Sequence, residues 1–352
     1  QFQVVQDGWY YNMAITLNGT TGITTPTYGG SVPSEYITPV TGFKNRIING
    51  DMRIDQRNAG ALINPAISNY NVDRWQYYQS QTSKGSIGQN AGAITPPTGF
   101  TNYLGFTSSS AYSITATDQF FIRQKIEGFN ISDLGWGTVN AKTVTLSFWV
   151  YSSLTGTFGG ALQNSASNRN YPFTYTISSA NTWEQKTVTI AGDTTGTWLT
   201  DNGRGISLVF SLGTGSTYSA TAGAWSSSSF VTSATGATSV VGTNGATFYI
   251  TGVQLEVGDT ATSFDNRSIG QELSLCQRYF EKLNGIVYGS YIGSFGASYS
   301  TWFFSTEKRT APTMNFVGTT GTPQNVSTQS ADVFATSTYP RIGAGTTASS
   351  EL

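Results

Sequence analysis

Alternation of apolar and polar residues dominates the chain from Phe43 to about Arg267. The clearest run covers residues 142–151, where Val144, Leu146, Phe148 and Val150 fall on one face and Thr143, Thr145, Ser147, Trp149 and Tyr151 on the other. A period of two residues predicts a half-buried strand of an antiparallel sheet. Similar runs, separated by clusters of Gly, Asn and Asp, are Gln119–Ile126, Tyr171–Ile177, Trp183–Ile190 and Gly205–Leu212. Regularly spaced strands with no helical pattern between them predict an all-β fold, a jelly-roll β-sandwich over residues 43–267.

The last run of this region, Thr247–Val257, changes phase along its length. Phe248 and Ile250 share one face, but the apolar alternation resumes at Val253, one residue out of register. Gly252 lies at the change, where a β-bulge would absorb the extra residue.

One amphipathic helix is predicted after the sandwich, over residues 268–284. Ser268 and Gln271 have the spacing of a capping box. The apolar stripe recurs at helical intervals and consists of Ile269, Leu273, Cys276, Phe280 and Leu283. This stripe has two interpretations: it docks on the chain's own sandwich, or it lies on a threefold axis as a short coiled coil that forms an oligomer interface. Residues 285–352 are predicted to form a smaller C-terminal β domain.

Composition narrows the classes of function. The chain has 352 residues, 11% of them charged, a net charge of -1, no histidine and one cysteine, Cys276. The lack of histidine excludes Ser-His-Asp or Cys-His catalysis and His-ligated metals, and a single cysteine excludes a disulfide framework and a thiolate zinc site. The lack of a basic cluster argues against nucleic acid as a partner, and no apolar run is long enough for membrane insertion. Because no unperturbed side chain here titrates between about pH 6 and 8, we expect stability to be nearly constant in that window and indifferent to reductant.

Several motifs resemble, in the same order, the bacteriophage proteins usually labelled tail fibre or virion fibre. They are Asn45–Asn58, Asp73–Trp75, Gln124–Glu127, Gly192–Trp198, Ile250–Gly258, Glu272–Phe280 and Lys308–Thr313. The most specific combination is Gly-Val-Gln-Leu-Glu at 252–256 with Leu-Cys-Gln-Arg-Tyr at 275–279. The resemblance implies a virion protein, often a homotrimer, with a jelly roll like that of carbohydrate-binding modules. It also implies that residues 1–42, whose segment Leu17–Ile23 is similar to the start of phage fibre proteins, form an extended leader that attaches to other virion proteins.

Aromatic residues beside polar ones are the candidates for carbohydrate binding, because a sugar has an apolar face and many hydroxyls. The candidates are Trp149 and Tyr151 on one strand face, and Trp198, Asp201, Arg204 and Trp225 in predicted loops. The alternative for each aromatic residue is packing, against a second layer of the fold or against a neighbouring subunit.

Catalysis could come only from carboxylates, as in a glycosidase, which needs two acids about 5–10 Å apart. Asp55 with Arg57, and Asp73 with Arg74, are more simply interpreted as surface ion pairs. We therefore expect no enzymatic activity and no cofactor. The carbohydrate-binding modules resembled here often hold a structural calcium, and the resemblance places Asp51 and Glu256 in the matching strands.

The sequence thus predicts a non-enzymatic structural protein of a bacteriophage virion, located in a tail or head appendage. The leading hypothesis is a tail fibre that presents its jelly roll to host-surface glycans for attachment. The alternatives are a purely structural head-fibre, collar or tail-decoration protein that binds other virion proteins, and a capsule polysaccharide depolymerase. An exposed aromatic groove would favour attachment, covered aromatic residues would favour the structural role, and two convergent acids in a cleft would favour the enzyme.

Overall fold

The structure, a computed structural model, describes residues 2–6, 9–13, 16–18, 22–24, 43–283, 302–315, 337–338 and 346–352. The chain divides into two units, Gln1–Gly42 and Phe43–Leu352. The strands of the first unit are β1 (Phe2–Gln6), β2 (Trp9–Met13), β3 (Thr16–Asn18) and β4 (Gly22–Thr24). β1 pairs antiparallel with β2, and β3 pairs antiparallel with β4, so the described part of this unit consists of two ribbons.

The second unit contains the predicted sandwich. Its strands are β5 (Ser68–Tyr70), β6 (Trp75–Gln79), β7 (Gly85–Gln89), β8 (Leu104–Ser108), β9 (Gln119–Glu127), β10 (Val144–Ser152), β11 (Gly156–Gln163), β12 (Asn170–Ile177), β13 (Glu184–Ile190), β14 (Arg204–Thr214), β15 (Ser219–Ala220), β16 (Ser233–Ala234) and β17 (Thr247–Val257). Short 3-10 helices lie at Gly128–Asn130, Ser132–Leu134 and Ser216–Tyr218. A five-stranded sheet has the order β13-β10-β17-β8-β7 and a six-stranded sheet has the order β12-β11-β14-β9-β6-β5. All neighbours in both sheets are antiparallel, and the fold is the predicted jelly-roll β-sandwich.

The core lies between the two sheets and is built by the apolar faces that the alternation predicts. Val144, Leu146, Phe148 and Val150 of β10 are all fully buried. Phe148 meets Phe210 of the opposite sheet edge to face, with ring centroids 5.0 Å apart. Burying one such side chain contributes roughly 1.5–3 kcal/mol, so the alternating runs are enough to hold the two sheets together.

The predicted β-bulge is confirmed at Gly252. In the pairing of β10 with β17, Ser147 lies opposite Gln254 and Trp149 lies opposite Thr251, so two residues of β17 face one of β10. Gly252 has a φ of 59°, in the left-handed region that favours glycine. The bulge restores the apolar face of β17 to the core after the change of phase.

The helix is shorter than predicted. α1 covers Ile269–Gln277, and Ser268 Oγ accepts a hydrogen bond from the backbone N–H of Gln271 (3.3 Å), which confirms the capping box. The chain then enters β18 (Phe280–Leu283), so the prediction of a helix as far as residue 284 is wrong. Two tertiary interactions end the helix early: Arg278 and the Tyr279 hydroxyl both donate to the Glu127 carboxylate of β9. No helix in the described ranges is long and apolar enough to cross a membrane.

The five residues of the predicted stripe therefore do not form one helical face. Ile269 is 55% exposed, whereas Cys276 and Phe280 are buried within the chain. The side chain of Leu283 lies outside the described residues. Cys276 belongs to a small apolar cluster with Ile48, Ile54, Leu273 and Tyr279. The structure thus supports docking of the helix on the chain's own sandwich, and the stripe residues whose side chains are described form no continuous exposed face for a threefold coiled coil.

A small C-terminal sheet completes the second unit. β18 pairs with β22 (Thr346–Ser349), which also pairs with β20 (Thr313–Asn315). A separate pair joins β19 (Trp302–Phe303) to β21 (Ser337–Thr338). The predicted C-terminal β region is therefore present in the part of the chain that the structure describes.

The fibre-like motifs meet in a buried polar network that joins this C-terminal part to the sandwich. Asn49 accepts a hydrogen bond at its carbonyl from Trp75 Nε1 (2.9 Å), and its own backbone N–H donates to Glu272 of α1. Arg74, only 1% exposed, pairs with Glu351 near the end of the sequence. Because a buried polar group must be satisfied by partners, these motif residues are explained by the docking of one part of the fold on another.

The two expected surface ion pairs are not formed. Asp73 is fully buried and accepts hydrogen bonds from Gln56, and Arg74 pairs with Glu351 instead. Asp55 accepts from the backbone N–H groups of Asn58 (2.9 Å) and Gly60 (2.8 Å), so it stabilises a turn. These interpretations were wrong because the loop carrying both acids is covered by the C-terminal residues, which no local pattern indicates.

Candidate functional site

The outer face of the six-stranded sheet brings together aromatic and cationic side chains from four strands. On β9, Ile122 and Ile126 point into the core, so strand alternation places Arg123 and Lys125 on the outer face. β14 begins at Arg204, whose guanidinium reaches Ser207 Oγ (3.4 Å) on the same face. We define the outer-face cluster as Tyr70, Tyr78, Arg123, Lys125 and Arg204, all of them partly exposed.

Arg123 is held along one edge of its guanidinium. Its Nε donates to Gln76 Oε1 (2.6 Å), and Gln76 Nε2 donates to Ser68 Oγ (2.7 Å). The Phe121 ring centroid lies 5.2 Å from the guanidinium carbon. Neither Nη atom donates to another group among the described residues. The side chain is thus oriented while its two terminal nitrogens are available to a ligand.

The other two cations of the cluster are anchored by oxygen atoms that carry no side-chain charge. Lys125 Nζ donates to the backbone oxygen of Leu352, the last residue of the sequence. Arg204 donates to the carbonyl of Ser165 and to Ser167 Oγ (3.1 Å). These hydrogen bonds fix both side chains on the outer face.

No direct ion pair with an Asp or Glu side chain compensates the positive charge of the cluster among the described residues. Among the described residues, no Asp or Glu carboxylate lies within 4.0 Å of Arg123, Lys125 or Arg204. Burial lowers the pKa of Arg123 to about 10, and the positive charge of Arg204 adds to this effect. Burial lowers the pKa of Lys125 to about 7; repulsion by Arg123, Arg204 and Arg74 adds to this effect, and the Glu351 carboxylate opposes it. The three cations thus lie near enough to repel one another on one face of the sheet.

Two segments bound the open part of this face. Residues 215–238, which include β15 and β16, cover its β11 and β12 side, where Gln163 Nε2 donates to the carbonyl of Val231 (2.6 Å). The last residues of the sequence cover another edge, where the Tyr70 hydroxyl donates to the carbonyl of Leu352 (3.3 Å). The exposed floor therefore lies mainly on β9, β6 and the start of β14.

The predicted candidates Trp149 and Tyr151 lie on the outer face of the other, five-stranded sheet. Tyr151 stacks on Tyr249, with centroids 5.3 Å apart and planes at 9°, and its second neighbour is Trp183 (5.5 Å). The segment before β8 crosses this face, because Thr251 Oγ1 donates to the carbonyl of Asn102 (2.7 Å). Trp149 and Tyr151 are half-buried as a result, and the face is largely closed by its own loops.

Trp198 and Trp225 pack against each other and against Trp136. The three rings meet edge to face, with Trp198 4.7 Å from Trp136 and 5.4 Å from Trp225. Trp198 is 7% exposed, which leaves no free ring face for a sugar. Asp201 is exposed and accepts from the backbone N–H of Gly203 (2.8 Å), while Arg204 extends to the outer-face cluster. The structure therefore does not assemble the predicted loop candidates into one site.

The two carboxylates that the resemblance associates with calcium do not fit such a site. Asp51 pairs with Arg53. Glu256 accepts from the backbone N–H (2.9 Å) and the hydroxyl (2.6 Å) of Thr262 and from Gln254 Nε2 (2.8 Å). Donors already occupy both groups, and the described residues include no group of three or more His, Cys, Asp or Glu side chains that could hold a metal ion.

Sequence reasoning missed Tyr70, Tyr78, Arg123 and Lys125. A signal was present in the alternation of Gln119–Ile126, which places both cations on the polar face of one strand. Their approach to Arg204 and Tyr70 depends on strand order in the sheet, which the sequence pattern does not contain.

No protein-family model matches the chain, and no curated protein matches it at a significant level. Similar solved structures include the enzymatically active domain of bacteriophage CBA120 tailspike protein 4 (12% identity, TM-score 0.33), with 61% of this chain and 21% of that chain covered. A CBM4 structure has 17% identity and a TM-score of 0.32, with 60% of this chain and 98% of that chain covered. A family 11 carbohydrate-binding module from Clostridium thermocellum, in complex with a mixed-linked tetrasaccharide, has 10% identity and a TM-score of 0.29, with 57% of this chain and 100% of that chain covered. The chain thus spans about a fifth of the tailspike structure. Each similarity is partial, and the assignment of the sandwich rests on the strand order and register described above.

Proposed function

We propose that the jelly roll is a glycan-binding module and that its site is the outer face of the six-stranded sheet. The observation that carries this proposal is the outer-face cluster: two partly exposed tyrosines and three partly exposed N–H donors on one rigid sheet. Aromatic rings stack on the apolar face of a sugar, and N–H donors bind its hydroxyls and charged groups.

Tyr78 is the aromatic platform of the proposed site. Its ring stacks on Phe121, with centroids 4.9 Å apart and planes at 15°. Because Phe121 is fully buried, it braces the Tyr78 ring from one side. A side chain that is already ordered loses less conformational entropy on binding, which strengthens the binding of a sugar to this ring.

We also propose that the module is not an enzyme. Three buried acids are committed to cations: Glu127 to Arg278, Glu281 to Lys308 and Asp193 to Arg169. A glycosidase needs two carboxylates that face a common cleft and remain free to exchange protons. The ion pairs therefore support binding without catalysis.

For the biological setting, we propose a bacteriophage virion fibre that attaches to host-surface glycans, assembles as a homotrimer and joins other virion proteins through residues 1–42. The fibre-like motifs support this setting, and threefold repetition would make weak glycan sites useful through avidity. Light scattering of the full chain tests the assembly, and a stable monomer would contradict it.

A purely structural virion protein is the second candidate. It is favoured by the aromatic residues that the chain covers itself, since Trp198, Trp225 and Tyr151 all pack on other rings. A structural protein would bind no glycan with any face of the sandwich.

The proposed site predicts unequal effects of two matched substitutions. Tyr78 and Tyr151 are both partly exposed and both stacked on another ring, but they lie on different sheets. We expect Tyr78→Ala to weaken glycan binding by roughly 1–3 kcal/mol, by analogy with the stacking of bases on aromatic side chains, and Tyr151→Ala to leave it unchanged. The full chain is first screened against immobilised host polysaccharides, and the dissociation constant of each variant is then measured by calorimetry.

Thermal unfolding of both variants serves as the control for folding. Loss of binding in Tyr151→Ala alone would move the site to the five-stranded sheet. If the original chain binds no glycan in the screen, the glycan-binding function is refuted and the structural role is supported.

A further inference from the structure

The outer-face cluster concentrates positive charge in a chain that is otherwise almost neutral. The whole chain has a net charge of -1, yet Arg123, Lys125 and Arg204 lie together without a described Asp or Glu carboxylate within 4.0 Å. Other buried cations do have such partners, as Arg74 has Glu351 and Arg169 has Asp193, whereas the partly buried Lys84 and Arg309 have none among the described residues. The outer face is distinguished by bringing such cations together on neighbouring strands.

Arg123 and Arg204, clustered without a carboxylate partner, cost folding stability, because each charge is partly desolvated and repelled by the other. Arg123 could have been neutralised by an acid on β6, but the residue opposite it in the pairing is Gln76, which orients the guanidinium without cancelling its charge. An arrangement that keeps the charge and fixes its direction is suited to an anionic ligand.

We propose that Arg123 and Arg204 make the site selective for anionic saccharides, with the Nη atoms of Arg123 contacting a carboxylate or phosphate group of the bound sugar. The inference rests on the proposed glycan-binding function and names its substrate class. Arg204, tied to a carbonyl and a hydroxyl oxygen, acts mainly through its positive potential.

The geometry of Arg123 supports a fork-like contact. With Nε engaged by Gln76, the two Nη atoms present parallel N–H donors, which match the two oxygens of a carboxylate or of a phosphate. Tyr78 lies on the neighbouring strand β6, directly opposite Phe121, and Phe121 is two residues from Arg123 along β9. A sugar ring stacked on Tyr78 can therefore place an acidic substituent near the fork.

The test compares charged and neutral forms of one saccharide. Tetragalacturonate is titrated against the full chain beside its methyl ester, which removes the charge and keeps the rings, and a glycerol phosphate oligomer provides the phosphate source. We expect the charged forms to bind and the ester to bind about 10-fold or more weakly, and binding to weaken as salt rises. Arg123→Gln should lower affinity for the charged saccharide by about 10- to 100-fold, whereas Lys142→Gln, which removes an exposed cation elsewhere, should not.

A second variant distinguishes loss of the fork-like contact from loss of folding. Arg123→Lys keeps the charge but removes the fork, so its affinity should lie between those of the original chain and Arg123→Gln. Preference for tetragalacturonate or for the glycerol phosphate oligomer identifies which anion the site takes, and either supports the inference. Equal binding of the acid and its methyl ester, with no effect of Arg123→Gln, would overturn it while leaving glycan binding intact. Binding of no saccharide at all would refute the proposed function itself.

Discussion

Replacing Trp198 with alanine is expected to lower the free energy of unfolding by about 3–5 kcal/mol. Trp198 is 7% exposed, and its ring lies between Trp136 and Trp225 at centroid distances of 4.7 and 5.4 Å. Removing the ring leaves a cavity that the two other indoles cannot both fill, because each is also held by a hydrogen bond to a backbone carbonyl. Urea unfolding followed by tryptophan fluorescence and circular dichroism measures the loss.

The matched control for this prediction is Trp149→Ala. Trp149 is half-buried on the outer face of the five-stranded sheet, so its removal exposes a surface and creates a smaller cavity. We expect a smaller loss of stability there. A Trp198→Ala variant that kept its stability but no longer bound glycans would contradict the packing role and place Trp198 in the binding site.

Stability is expected to decrease between about pH 4 and pH 7 because of Asp73. Burial raises the pKa of this carboxyl to about 7 in the folded chain, despite hydrogen bonds from Gln56 and the nearby Arg57 that favour the charged form. In the unfolded chain the pKa is near 3.8. Between these values the folded state holds one proton more than the unfolded state, so raising the pH favours unfolding. At 1.36 kcal/mol per pH unit, the total effect is about 4 kcal/mol.

Asp73→Asn isolates this effect. The amide keeps the shape and an acceptor for Gln56 but cannot ionise, so the variant should gain stability relative to the original chain by about 3–4 kcal/mol between pH 4 and pH 7. Chemical denaturation at several pH values gives the difference, and Asp201→Asn provides an exposed carboxylate as the control. A constant difference between Asp73→Asn and the original chain across this range would show that Asp73 is ionised throughout.

Lys125 acts in the opposite direction at higher pH. Its pKa is lowered to about 7 when folded, mainly by burial, from 10.5. Between these values the folded state holds one proton fewer, so stability should increase as the pH rises above 7. The composition predicts nearly constant stability between pH 6 and 8, because no ordinary side-chain pKa lies there. Burial moves one carboxyl and one amine into that window, and we now expect stability to be lowest near pH 7.

Secondary structure in the sandwich follows closely from local pattern. The predicted run Gly205–Leu212 lies within β14, and Thr247–Val257 forms β17 with the bulge at Gly252. A strand buries every second residue, so the apolar alternation of a few consecutive residues is enough to predict it. The helix differs: its start is encoded locally by Ser268, but its end at Gln277 depends on Glu127 of a distant strand.

For the candidate binding residues, too, some properties follow from local sequence and others from the tertiary structure. Alternation along the sequence by itself determined that residues such as Trp149 and Arg123 lie on the outer faces of their sheets and that Phe148 lies in the core. Only the tertiary structure decided which outer face is covered and which stays open. It closed the face bearing Trp149 with the loop before β8, packed Trp198 against two other indoles, and brought Arg204 to Arg123 across neighbouring strands. The reason is physical: which side of a strand a residue occupies follows from the two-residue repeat of the backbone, whereas its exposure, charge environment and pKa depend on segments remote in sequence that pack over it.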